Sequence, residues 1–147
     1  IKMTDTMETW MNKNDYDIND INRQGSFGTT ALMKAVREAE YEIAKVLIEA
    51  GASLEIKNVD GNTALWMSAF GDDPRCMQLL IDKGIELDTQ NVGATTTLMY
   101  AASSNKLEMV ELLVKAGANT YLENDDGFTA YEYATSPKIA KLVKPAS

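Results

Sequence analysis

Residues 58–69 run Asn58-Val59-Asp60-Gly61-Asn62-Thr63-Ala64-Leu65-Trp66-Met67-Ser68-Ala69. A polar, turn-prone segment leads to a glycine able to take positive φ. Two residues later a threonine stands where its hydroxyl can cap a following helix. The same pattern lies on both sides at a fixed interval. Thr30, Thr63, Thr96 and Thr129 are each 33 residues apart, and so are Leu32, Leu65 and Leu98, with Tyr131 in fourth place. Gly28, Gly61 and Gly127 keep the register, with Ala94 in the third unit. Several residue types sharing one period are the signature of a repeat protein.

Each unit continues into a second helical stretch: Tyr41 to Ala50, Pro74 to Lys83 and Leu107 to Ala116. Apolar residues such as Met109, Val110, Leu112 and Leu113 recur there at helical spacing. Gly51, Gly84 and Gly117 then stand as left-handed terminators. Asp73-Pro74 reads as an N-cap followed by proline at the first helical position. The register predicts helices at roughly 30–36, 40–50, 63–70, 74–83, 96–103 and 107–116.

Gly-x-Thr-Ala-Leu-x-x-Ala, followed by Leu-Leu and Gly-Ala, resembles the ankyrin repeat, whose period is 33. The resemblance implies an all-α fold, an ankyrin-repeat α-solenoid of helix–turn–helix units joined by β-hairpin-like loops. One domain over 1–147 is expected: a partial repeat at 1–24, full repeats at 25–57, 58–90 and 91–123, and a shortened repeat at 124–147. Ile21 falls in register with Leu54 and Leu87. Some positions depart from the family pattern. Ala replaces the usual Pro of the first helix, and Met33, Trp66 and Met99 stand where a His is common. The glycine usual between the two helices is Ala39, Asp72 or Asn105. Asp and Asn tolerate left-handed geometry. Ala39 tolerates it poorly, which predicts a longer or regularised turn in the first unit.

Composition narrows the chemistry. The 147 residues contain no His, which removes the commonest general base, the Ser/His and Cys/His nucleophile pairs and the commonest metal ligand. The single Cys76 aligns with Ile43 and Met109 on the buried side of the second helix and reads as a packed thiol. Asp72-Asp73 and Asp125-Asp126 lie in turns, where acids are common, and no phosphate-cradling glycine pattern occurs. The expectation is a non-catalytic chain with no cofactor and no metal site. Lys and Arg total 14 against 22 Asp and Glu, a net charge of −8 that repels nucleic acid and anionic membranes. Half of it falls in residues 58–90. No apolar run is long enough to span a bilayer. A protein partner, one with a basic patch, suits that surface, and the chain is expected to be a monomer on its own. The sequence leaves the compartment open, the cytoplasm being preferred and an exported form compatible with a chain that starts at Ile1.

The family resemblance also implies a binding face, the concave side formed by hairpin tips and first helices. Carried over by position, it gives Phe27, Val59, Asp60, Asn62, Val92, Thr95, Asp125, Asp126 and Phe128 at the tips. Phe70 lies at the exposed end of a first helix, with Arg37 and Ser103 in matching positions. Phe27, Phe70 and Phe128 are aromatic where other units carry small or polar residues, as expected of interface anchors. The expected function is a protein–protein interaction module. Its sharper form is an inhibitor or immunity-type protein that blocks a toxin or enzyme; the other form is an adaptor domain cut from a larger protein.

Overall fold

The computed structural model describes residues 3–146, with side chains from Asp5 onward. Among the described residues every regular element is a helix. The α-helices are α1 (Met3–Lys13), α2 (Ala31–Arg37), α3 (Tyr41–Glu49), α4 (Ala64–Phe70), α5 (Pro74–Asp82), α6 (Thr97–Ser103), α7 (Leu107–Lys115), α8 (Ala130–Tyr133) and α9 (Pro137–Val143). They stand in two rows. An inner row stacks α2, α4, α6 and α8, and an outer row stacks α1, α3, α5, α7 and α9. Each inner helix also packs against the outer helix that follows it. The arrangement is the expected all-α solenoid, and the six helices read from the register lie within a residue of where they were placed.

Local chemistry sets the helix ends. The hydroxyls of Thr30 and Thr96 accept from the amides of Met33 and Met99, both at 3.2 Å, and Thr63 accepts from Leu65 at 3.3 Å. Each such cap is worth about 1 kcal/mol. The family-unusual methionines contribute here, because the Met33 and Met99 sulfurs accept weakly from the Thr30 and Thr96 backbone amides. In the last unit Glu132 replaces the methionine. Its carboxylate receives both the amide and the hydroxyl of Thr129, which lowers its pKa. At the outer helices' C-termini Gly51, Gly84 and Gly117 take φ of 103°, 86° and 100°. The next amide then returns to Leu47, Leu80 or Leu113.

The turn between inner and outer helices corrects one expectation. Ala39 adopts φ 59°, beside 62° at Asp72 and 56° at Asn105. The first unit therefore keeps the same turn as the others. The Glu40 amide bonds Ala35 O at 2.8 Å, as Lys106 bonds Ala101. That packed geometry outweighs the local strain of about 1–2 kcal/mol in a left-handed alanine. Gly71 has a different role. Its backbone is ordinary right-handed helix, yet a Cβ there would lie 2.6 Å from Val36 O and closer still to Arg37 O. The ends of α2 and α4 can approach this closely only because residue 71 has no side chain.

The core runs between the rows. Leu47, Leu80 and Leu113 are fully buried on the outer helices, and Leu32, Leu65 and Leu98 nearly so on the inner ones. Cys76 is buried, as its alignment implied, and burial pushes its thiol up to about 12. At the N-terminal end α1 supplies Met7 and Met11, and Asp15 terminates it at φ 63° where other units have glycine. At the other end α9 buries Ile139 and Val143 against α7. Tyr131, in the register of the buried leucines, is 41% exposed because no inner helix follows α8 among the described residues.

Candidate partner-binding surface

Four loops project ahead of the inner helices, and each is closed by a backbone bond in the same register. These bonds run from Gly25 N to Thr29 O, Asn58 N to Asn62 O, Asn91 N to Thr95 O and Asn124 N to Phe128 O, at 2.8–3.0 Å. Among the described residues the loops form no strand, so they are hairpin-like in path alone. Asn58, Asn91 and Asn124 hold them from inside. The Oδ1 of each accepts two amides across its own turn, such as those of Asp60 and Asn62 at 2.9 and 3.0 Å. Neighbouring loops are joined by backbone as well. Val59 N donates to Phe27 O, Val92 N to Asp60 O and Asp125 N to Gly93 O, all at 2.9–3.0 Å. Gln24 and Gln90 add a side-chain clasp, each amide bonding one carbonyl of its own loop and one of the segment entering the next. The tips are thus one hydrogen-bonded row.

Most residues carried over from the family pattern stand on this row as exposed side chains. Phe27 is 78% exposed, Val92 75% and Val59 62%, and Asp60, Asp125 and Asp126 are also exposed. Phe27 itself sits at φ 61°, which turns its ring outward from a loop that has no asparagine to hold it. Phe128 is less free: it packs edge-on against Tyr133 at 5.8 Å, and the Tyr133 hydroxyl accepts from Asn124. Asn62, expected among the tip contacts, is buried instead. Its side-chain oxygen accepts from the Asn91 amide at 3.0 Å, tying two successive loops together. Thr95 is half-buried and lines a groove with Trp66, Tyr100, Ser103 and Tyr133.

That groove lies along the inner helices. Trp66 and Tyr100 stack with centroids 4.6 Å apart, which extends an aromatic wall from α4 to α6. Phe70 ends α4 and is 57% exposed, and Arg37 and Ser103 hold the same position on α2 and α6. An extended segment laid across the inner helices would meet aromatic faces in the middle and loop side chains along one edge. Sequence reasoning missed the Trp66–Tyr100 stack. The spacing of 34 between them, one more than the period, is its only trace in the sequence.

The acids of the middle unit do not form one patch. Asp72 pairs with Lys106 at 3.4 Å. Asp73 caps α5 through Arg75 N and pairs with the Arg75 guanidinium at 2.9 Å, and that hydrogen bond lowers its pKa. Asp82 accepts from Gln78, Glu86 from Asp88 N and Asp88 from Asn119 N. Asp88 belongs to a series: Asn22, Glu55 and Asp88, 33 residues apart, each accept a backbone amide 31 residues ahead, from Ser53, Glu86 and Asn119. Asp72 and Asp88 therefore tie the middle unit to the next, Asp73, Asp82 and Glu86 bond within their own unit, and Asp60 stands exposed on the loop row.

A family model for ankyrin repeats (3 copies) matches residues 2–91 and 76–145. The human Notch-regulated ankyrin repeat-containing protein is 39% identical over 51 residues, 35% of this chain and 45% of the relative. An ankyrin repeat protein of Rickettsia bellii is 39% identical over 54 residues, 37% of this chain and 32% of the relative. The zebrafish Notch-regulated ankyrin repeat-containing protein B is also 39% identical over 51 residues, with 46% of its length covered. The chain spans less than half the length of these curated relatives.

Proposed function

The chain belongs to the ankyrin-repeat family, a fold that generally mediates protein–protein interaction, and from that premise we propose that it is a non-catalytic module holding a partner protein on its loop row and inner helices. The observation that carries this reading is the placement of apolar side chains. Phe27, Val59, Val92 and Phe70 are all more than half exposed, whereas the leucines and methionines between the rows are almost wholly buried. Large apolar groups held outward on an ordered backbone are what an interface anchor requires. The row is rigid through backbone bonds, so docking a partner orders little that was not ordered already.

Asp60, Asp125 and Asp126 on the same loops favour a basic patch on the partner, since complementary charge speeds encounter. Phe70→Ala removes an anchor and is expected to weaken binding by ~2 kcal/mol, mainly through faster dissociation. Asp60→Lys is expected to slow association, an effect that raised salt reproduces in the unmodified protein. The test immobilises the purified chain, identifies the proteins it retains, and measures both rates for each variant. Equal binding by wild type and Phe70→Ala/Asp60→Lys would remove the loop row and inner helices as the site. The outer row, or the groove that Trp10 and Lys13 of α1 line with Glu40 and Ile43, would then replace them.

A further inference from the structure

We propose that the cavity beside the first loop is a carboxylate-recognition site, and that it takes an acidic side chain flanked by apolar residues on an extended segment of the partner protein. The inference rests on the reading above that this side of the stack binds a protein. The cavity measures about 400 Å³ and brings Arg23, Lys34 and Arg37 together against one lining acid, Asp15. In a chain of net charge −8 this is a local inversion of sign.

The three cations are not equivalent. Arg23 is committed: its guanidinium donates to the Asp15 carbonyl and lies 5.2 Å over the Tyr16 ring. Lys34 pairs with Glu38 at 2.9 Å. Tyr16 is committed too, its hydroxyl donating to Thr29 O at 2.8 Å, so the wall behind the cavity is fixed. Arg37 is half-buried, and among the described residues its guanidinium makes no hydrogen bond and no ion pair. A planar fork of five donors, partly removed from water and left unmatched, is shaped for a carboxylate bound through two parallel hydrogen bonds.

The surroundings select the kind of anion. Phe27 lines the cavity with 78% of its surface exposed. Phe70 stands in Arg37's position on the next inner helix and is 57% exposed. A carboxylate held at Arg37 would therefore have Phe27 in the same cavity and Phe70 on the adjoining inner helix as apolar neighbours. A polyanion would run along the same row into Asp60, Asp125 and Asp126, which repel it. A single acidic side chain on a peptide avoids that clash.

The test uses the whole chain and two synthetic peptides, blocked at both ends and identical except that one carries Leu-Phe-Glu-Leu and the other Leu-Phe-Gln-Leu. Binding is followed by NMR through the arginine Nε–H resonances. The Glu peptide is expected to shift the Arg37 resonance and to bind about tenfold more tightly than the Gln peptide, the scale of one charge-assisted pair. Arg37→Gln should erase that preference and leave the melting temperature unchanged. Equal affinity for the two peptides, or an Arg37 resonance that neither peptide moves, overturns the proposal. Inorganic phosphate shifting Arg37 as strongly as the Glu peptide overturns the peptide assignment. A captured partner that tolerates Arg37→Gln but is lost with Phe70→Ala would sink this site alone. A partner indifferent to Arg37, Phe70 and the loop variants together would sink the protein-binding surface as well.

Discussion

Replacing Gly71 by Ala sets two physical effects against each other, and the sign of the outcome tells which governs the stack. Gly71 has φ −71° and ψ −12°, ordinary right-handed helix at the end of α4. On helix propensity alone alanine is better there by about 1 kcal/mol. The packing points the other way. The new Cβ would stand 2.6 Å from Val36 O, well inside van der Waals contact, and the atoms it meets are backbone carbonyls that cannot swing aside. Relief requires α2 and α4 to separate, and overpacking of this kind costs up to about 3 kcal/mol. The net expectation is a loss of about 2 kcal/mol. With an unfolding entropy near 2.1 cal/mol/K per residue, that lowers the melting temperature of a 147-residue chain by about 6 °C. Gly93→Ala is the control, because the nearest atom to its Cβ is the Thr95 hydroxyl at 3.7 Å, and its melting temperature should hardly move. Thermal unfolding followed by circular dichroism at 222 nm reads all three proteins. A Gly71→Ala variant as stable as wild type, or more so, would refute the idea that the inner helices touch through this glycine.

Two further outcomes follow from burial. Leu80 is fully buried on α5, which packs against α3, α4 and α7, so Leu80→Ala should cost about 2–5 kcal/mol in urea unfolding; an unchanged midpoint would place Leu80 outside the core. The Cys76 thiol, held up to about 12 by burial from a usual value of 9.0, should be inert to a thiol reagent at pH 8 until the chain is unfolded. Its linkage runs one way: between about pH 9 and 12 the unfolded thiol ionises while the folded one stays protonated, so stability should fall with rising pH across that window. Cys76→Ala should flatten that part of the curve, and an unaltered slope would assign it to other groups.

The period of 33 made the helices legible, because the residues that carry it are the ones that cap, bury and terminate them. Thr30, Leu47 and Gly51 have one role each and the same role in each of the three full units. What escaped were features in which tertiary packing overrides residue preference. Ala39 looked unfit for a left-handed turn, yet the turn is set by the Glu40–Ala35 bond and the packed helices on either side. Asn62 reads as a tip residue by position, but its contact is with Asn91, 29 residues away, and a single-unit pattern carries no information about it. The acidic character of residues 58–90 is a correct count that misplaces the charges, since Asp72 and Asp88 hold the next unit, Asp73 caps a helix, and Asp82 and Glu86 bond to neighbours in their own unit. The basic cavity was hidden for the opposite reason. Arg23, Lys34 and Arg37 come from a loop and a helix of two adjoining units, and only the fold brings them together.

The bonds that join one loop to the next use backbone atoms alone: Val59 N to Phe27 O, Val92 N to Asp60 O and Asp125 N to Gly93 O. A phenylalanine, an aspartate and a glycine supply the three acceptors interchangeably. The identity of the outward side chain is therefore decoupled from the strength of the scaffold beneath it. Recognition can be rewritten residue by residue along the loops while the array that presents it stays intact, so this chain could acquire a new partner without first finding a new fold.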